Sequence, residues 1–190
     1  MVVALSKADW TEAALLALAR DGLAGVAVEP LARHLGATKG SFYWHFADRA
    51  ELIAATLDLW QQRETTEVID HIRAISDPRE RLTALGAGAY GGAARGNTHS
   101  AVVAAASDPR ARAVLERVTR VRLEFLERLY SDLGVADGQA GRHARLAYAL
   151  YLGIGELRQA DPDGDLAGRE LDAYLELAVD IMMPPERRHE

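Results

Sequence analysis

Residues 31–52 read LARHLGATKGSFYWHFADRAEL. This stretch allows little besides two short helices, a tight turn between them, and the start of a longer helix. Leu31, Ala32 and Leu35 share one side of the first helix. Ala32 is small enough to let the two helices cross closely. Gly36 can take the left-handed conformation of the turn. Phe42 and Phe46 lie four apart on a second helix, predicted over 39–45, and would bury beneath the first. Lys39, Tyr43 and Trp44 then face outward. Such a helix–turn–helix suits a DNA major groove. By pattern alone it is equally a small helical hairpin that binds nothing.

The rest of the chain is also helical by periodicity. Ser6 followed by Asp9 resembles a capping box, and Trp10, Ala13, Ala14, Ala17 and Leu18 continue it at helical spacing until Gly22. A helix over 28–35 tolerates Pro30 in its first turn. Asp48 is a good N-cap for a fourth, long helix reaching Ile75, with Leu52, Ile53, Leu57, Trp60, Val68 and Ile72 on its apolar face. Asp77-Pro78 opens a helix to 94, Asn97 caps a short one ending near 106, and Asp108-Pro109 opens a strong amphipathic helix to 132. Two more are predicted over 139–159 and 166–182. No segment alternates with period two. The fold class is all-α with about nine helices: a three-helix head at 1–50, and a helical ligand-binding and dimerisation domain at 51–190 entered by the long helix.

Composition narrows the function. With no Cys, there is neither a disulfide framework nor thiolate chemistry. His34, His45, His71, His99, His143 and His189 are never three or four residues apart, so no metal site is expected. There is no GxSxG, no P-loop and no GxGxxG opening after a strand, so neither an enzyme nor a cofactor is expected. No signal-like or membrane-spanning run is seen, which predicts a soluble, cytoplasmic protein. The net charge is −6, and the first 60 residues carry five cations against seven anions. That argues against generic nucleic-acid binding unless the cations gather on one face.

GATKGSFYWHFADRAELI, preceded by AALLALARDGLAGVAVEPLARHLG, resembles the N-terminal domain of TetR-type transcriptional regulators. The likeness covers roughly residues 6–60. It implies a homodimeric, ligand-responsive regulator, most simply a repressor released from a palindromic double-stranded operator by a small molecule. It places Thr38, Lys39, Gly40 and Ser41 at base edges and nearby phosphates. It places Tyr43, Trp44 and His45 at bases and backbone, and Arg49 at a phosphate. Packing against the first or fourth helix is the alternative for Trp44, and an ordinary hydrogen-bonded surface position for His45. Three departures stand out. Ala27 replaces a common capping Ser or Thr. Glu29 sits where a basic residue is frequent and would repel phosphate unless paired, with Arg33 as the nearest candidate in sequence. Lys7 is the lone cation of a short N-terminal arm.

The resemblance also implies an effector site in the core. Trp60, Tyr90, His99, Phe125, Tyr148 and Tyr151 are the aromatic candidates there, with ordinary core filling as the alternative for each. An aromatic-rich pocket with few charges favours an apolar or planar molecule. The last two long helices are the dimer candidate, through Leu146, Leu150, Gly153, Ile154, Leu157, Leu171, Tyr174, Leu175, Ala178 and Met182. Gly153 and Gly155 would permit close helix approach. The glycine-rich AGAYGGAARG is either a closely packed helix end or a pocket wall that moves. The rival reading of the whole chain is a helical small-molecule binding protein whose head has lost tight DNA binding.

Overall fold

The computed structural model describes residues 5–90, 93–136, 138–161, 164 and 169–185, with the side chains of 89, 90, 93–97 and 169 left aside. The described residues are all-helical. The elements are α1 (Lys7–Gly25), α2 (Val28–His34), α3 (Lys39–Phe42), α4 (Arg49–Gln61), a π-helical segment (Gln62–Thr66), α5 (Glu67–Arg73), α6 (Pro78–Tyr90), α7 (Ala93–Ala104), α8 (Pro109–Asp132), α9 (Ala140–Ala160) and α10 (Arg169–Met182). None of these helices is long and apolar enough to cross a membrane.

The chain forms two compact units. The first runs to Glu64 and includes Asn97–Glu116; the second takes Thr65–Gly96 and the chain from Arg117 on. The division falls inside the π-helical segment, so most of the long fourth helix groups with the head.

In the first unit, local signals set the helix ends. The Ser6 hydroxyl accepts from the Asp9 amide, and the Asp9 carboxylate accepts from the Ser6 amide at 2.7 Å, completing the capping box. Gly22, at φ 65°, breaks α1 before its last residues. Asp48 accepts from the Glu51 amide at 2.8 Å, and Glu51 in turn accepts from the Ala47 amide at 2.8 Å. That reciprocal closure of α4 needs Glu51 as much as the predicted Asp48. Trp10, Leu18, Phe42, Phe46, Leu52, Ile53 and Leu57 are fully or almost fully buried, and α1 packs on α2 and α4. Burying one such large apolar side chain is worth roughly 1.5–3 kcal/mol.

The fourth helix departs from expectation in its middle. Instead of running unbroken to Ile75, it widens to π geometry over Gln62–Thr66 and ends at Arg73. The polar run QRETT separates Trp60 from Val68 on the apolar face. Thr65 is nonetheless buried, and its hydroxyl oxygen accepts from the Arg122 Nε at 3.0 Å. A second correction concerns Asn97: it lies inside α7, which begins at Ala93, and therefore does not cap it.

The second unit is built from longer amphipathic faces. Leu82, Leu126, Leu129, Tyr130, Ala140, Ala144, Ala147 and Tyr148 form its main core; Ile69, Ile72 and Phe125 form another cluster, and Ile154, Leu175 and Ala178 a third. A Cβ on Gly86 would stand 2.5 Å from Val179 Cγ2, so glycine is what lets α6 meet α10. Gly86 stands just ahead of the stretch AGAYGGAARG; within it, a Cβ on Gly88 would meet nothing within 4 Å, and Gly91 and Gly92 lie outside the described residues.

Candidate nucleic-acid interface and effector core

The turn between α2 and α3 is closed by backbone. Gly36 takes φ 63°, the Ala37 amide donates to the Ala32 carbonyl at 2.8 Å, and the Gly36 amide donates to the Arg33 carbonyl at 3.2 Å. Thr38 then caps α3: its hydroxyl oxygen accepts from the Ser41 amide at 3.2 Å, while the Ser41 hydroxyl donates to the Thr38 carbonyl at 2.9 Å. Both hydroxyls predicted at DNA thus also hold the start of α3. That helix is shorter than expected. It covers Lys39–Phe42, and residues 43–45 continue as turns, with the His45 and Phe46 amides both donating to the Phe42 carbonyl.

Phe42 and Phe46 anchor this short element from below. Their rings stack at 5.3 Å, and Trp10 meets Phe42 edge-on at 5.4 Å. With both phenylalanines buried, the intervening side chains turn outward. Trp44 is 88% exposed and Tyr43 55% exposed. Packing of Trp44 against α1 or α4 is thereby excluded. Lys39 and Gly40 are also exposed, and Ser41 and His45 are half-buried. Five of the predicted residues, Thr38, Lys39, Gly40, Tyr43 and Trp44, are therefore exposed along this outer edge of the head.

The charges around this edge are largely engaged within the protein. Lys39 Nζ lies 2.9 Å from Glu29 Oε1. Glu29 thus pairs with Lys39, not with its sequence neighbour Arg33, whose field acts on it only secondarily. The pairing holds the Glu29 carboxyl below its ordinary range and the Lys39 ammonium above its own. Lys7 pairs with Glu51 at 2.8 Å and sits 4.8 Å above the Phe46 ring. Arg49, expected at a phosphate, donates through Nε to the Val26 carbonyl and through Nη2 to the Leu23 carbonyl, both at 2.5 Å. It ties the α1–α2 connection to the start of α4 while itself staying exposed. Its spacing from those carbonyls, 23 and 26 residues, gave the sequence reading no cue.

Of the six aromatic effector candidates, five have described side chains, and these are found in both compact units. Trp60 and His99 belong to the first unit, buried, with rings 5.8 Å apart. Phe125, Tyr148 and Tyr151 belong to the second. Phe125 packs with Ile69 and Ile72, and the Arg73 guanidinium lies 5.7 Å from its ring. Tyr148 and Tyr151 stack at 6.0 Å, and the Arg122 guanidinium lies 5.6 Å from the Tyr151 ring. The Tyr148 hydroxyl is buried and has no hydrogen-bond partner among the described residues. The Tyr90 side chain lies outside the described residues.

On the dimer candidates, the two terminal helices divide their apolar residues between two sides. Ile154, Leu175 and Ala178 are buried within the protomer, with Leu150 and Leu171 partly buried against them, and Met182 packs against the main core of the second unit. Leu146, Leu157 and Tyr174 remain exposed, as do Leu177 and Ile181, which the sequence reading passed over. A Cβ on Gly153 or Gly155 would meet nothing within 4 Å, so neither glycine serves close packing inside the protomer.

Residues 11–56 match the sequence profile of "Bacterial regulatory proteins, tetR family". The "Probable HTH-type transcriptional regulator ArpR" of Pseudomonas putida is 35% identical over 81 residues, which is 43% of this chain and 36% of that protein. The chain thus spans about a third of the length of that curated relative. Similarity of fold extends much further. A transcriptional regulator from Rhodococcus sp. Rha1 is 22% identical with a TM-score of 0.76, covering 94% of each chain. The transcriptional regulator FadR from Bacillus subtilis, solved in complex with stearoyl-CoA, is 13% identical with a TM-score of 0.71, covering 94% of this chain and 98% of its own. The head thus matches the tetR family of bacterial regulatory proteins, and the helical fold of the chain is similar to that of solved transcriptional regulators.

Proposed function

We propose that the protein is a homodimeric, ligand-responsive transcriptional regulator, a repressor that leaves a palindromic operator when a small molecule binds its core. The observation that carries this reading is the outer edge at 38–46. Two buried phenylalanines hold a capped single turn so that Tyr43 and the 88%-exposed Trp44 face solvent. An 88%-exposed Trp has no packing purpose within the head, and Tyr43 beside it spends only one edge on the Phe42 ring. Their rings and polar edges suit base and sugar surfaces, while the hydroxyls of Thr38 and Ser41 suit phosphates.

A second copy would supply the second reading head. Leu146 and Leu157 lie eleven residues apart on one side of α9, and Tyr174, Leu177 and Ile181 follow helical spacing on α10. A two-fold pairing of this apolar side would cover it, with the open Gly153, on the same side of α9, admitting the partner helix closely. Two-fold symmetry matches half-sites about 34–36 Å apart, one DNA turn. An effector acts by binding two head spacings with different affinity. Phe125, Tyr148 and Tyr151 support an apolar or planar effector with one hydrogen-bonding group, for which the Tyr148 hydroxyl is available. The Bacillus subtilis relative solved with stearoyl-CoA lends support to a ligand in such a core. A regulator of this kind works in the cytoplasm.

The test is a binding titration on the duplex upstream of the protein's own coding sequence, across salt concentrations, against a duplex of random sequence. Saturable preference for the upstream duplex supports the reading; equal, weak binding to both refutes it. The alternative, a small-molecule binding protein with a weakened head, is favoured by one observation: Lys7, Lys39 and Arg49 are all engaged within the protein. Tight effector binding without preference for any operator would select it.

A further inference from the structure

Lys39 is the only Lys or Arg between Gly36 and Asp48, the stretch that forms the outer edge of the head. Its ammonium is 2.9 Å from the Glu29 carboxylate, which reaches it from the first turn of α2 across the Gly36 turn. Both side chains are more than half exposed, so water and salt reach the pair from outside. The acid therefore occupies the position that a DNA phosphate oxygen would take on the same ammonium. Of the other head cations, Lys7 is held by Glu51, Arg20 by Asp21 and Arg49 by two carbonyls, while Arg33 is exposed on α2.

We infer that Glu29 is an internal stand-in for phosphate, an affinity-setting residue that must surrender Lys39 before the head can engage the DNA backbone. This rests on the DNA-binding reading above and adds a residue that touches no DNA itself. An exposed ion pair is cheap to open, because its two charges exchange it for water at little net cost. The acid thus leaves the head able to bind, but at reduced strength. When Lys39 turns to a phosphate, the Glu29 charge is uncovered close to a polyanion, which offsets part of the gain. Non-specific binding, which is almost wholly a phosphate term, should feel this in full. Binding that also gains base contacts at Tyr43 and Trp44 keeps those contacts whatever the acid does. A regulator with so acidic a head would then hold only weakly to random DNA.

The experiment compares the full-length protein with Glu29→Gln, Lys39→Gln and the double variant. Binding is titrated against the upstream duplex and a random duplex over a series of salt concentrations. Each phosphate contact steepens the slope of log affinity against log salt by about 0.9 and contributes roughly eightfold at 0.1 M salt. Glu29→Gln is expected to tighten binding to the random duplex about 3- to 10-fold per head and to steepen the slope by up to about 0.9 per head. Lys39→Gln should cost little in the natural background and about 3- to 10-fold when Glu29 has been replaced, a coupling that the double variant measures. Unchanged or weaker binding by Glu29→Gln, an unchanged slope, or the same Lys39→Gln loss in both backgrounds overturns the inference. The random duplex carries this test even if the upstream duplex shows no preference, so failure of the operator reading and failure of the Glu29 inference are separately visible. Matching helical content of all four proteins by circular dichroism shows that the head is intact.

Discussion

The head and the second unit solve the same problem, packing amphipathic helices, with opposite means. In the head, helix ends are closed by nearby side chains: Ser6 with Asp9, Thr38 with Ser41, Asp48 with Glu51. Its small aromatic core of Trp10, Phe42 and Phe46 leaves most of the short α3 region outside. The second unit relies on long faces. Leu126, Leu129 and Tyr130 of α8 meet Ala140, Ala144, Ala147 and Tyr148 of α9 over several turns. The difference shows where rigidity is needed. A single-turn reading element has too little length to be stable alone, since the first hydrogen-bonded turn is the costly one. It must be pinned by caps and by rings beneath it. Longer helices such as α8 and α9, of 24 and 21 residues, gain enough from burial to leave an apolar side uncovered.

This contrast can be broken first at Phe42. Phe42→Ala removes a fully buried ring that touches Trp10, Tyr43 and Phe46, and a loss of about 3–5 kcal/mol in head stability is expected. Denaturant unfolding followed by fluorescence should show the head melting ahead of the second unit. If both units remain as stable as before, the claim that the rings pin the short element is wrong.

The second unit is most sensitive where its helices approach closely. Gly86→Ala puts a methyl group 2.5 Å from Val179 Cγ2, and the β-branched valine has little freedom to yield. Overpacking of this kind costs about 1–3 kcal/mol, to be read from the shift of the thermal midpoint. A neutral result would mean that α6 and α10 separate more easily than their packing implies.

The head's dependence on caps is tested by Asp48→Ala, expected to cost about 1 kcal/mol by denaturant titration. The equivalent loss of the Tyr130 hydroxyl in the second unit, by Tyr130→Phe, removes a 3.1 Å hydrogen bond to the Met182 carbonyl and should cost no more than about 1 kcal/mol. Should the second change exceed the first, the distinction between cap-dependent and face-dependent units loses its basis.

The smallest effect is one of pH. Hydrogen bonds from Arg110 hold the Asp108 carboxyl down at about 2 from an ordinary value of 3.8. A carboxyl depressed in the folded state stabilises it above the ordinary value and loses that contribution as pH falls through the window from 3.8 towards 2. Asp108→Asn should therefore flatten the stability profile across that window while leaving neutral-pH behaviour little changed. An unaltered profile would show that exposure to solvent screens the pair completely.

Most of the head could be read from the sequence because its determinants are local. Ser6, Gly36, Phe42, Phe46 and Asp48 act within four residues of their partners, and each does what its spacing predicts. Thr38 was read for its hydroxyl at DNA while its capping task went unnoticed; the cue was present in Ser41 three residues on. Much of what was not legible involves longer reach: Arg49 crosses to the α1–α2 connection, Glu29 chooses Lys39 ten residues away over Arg33 four away, and the aromatic candidates divide between two units, whereas the π segment and the early start of α7 are local departures.

What the sequence by itself determined was the all-α class, the helix–turn–helix, and which rings of the 42–46 stretch are buried, because hydrophobic period and turn chemistry act along the chain. Only the tertiary structure decided which side of α9 and α10 the protomer keeps for itself. Leu146 and Ile154 are equally apolar and lie on the same helix, yet one is 71% exposed and the other 6%. Periodicity marks a residue as apolar; the neighbour that covers it is set by how distant helices meet. The same holds for the charges of the head. Their number was plain from the start, but their availability to DNA was decided by the folding that set Glu29 beside Lys39 and the carbonyls of Leu23 and Val26 beside Arg49.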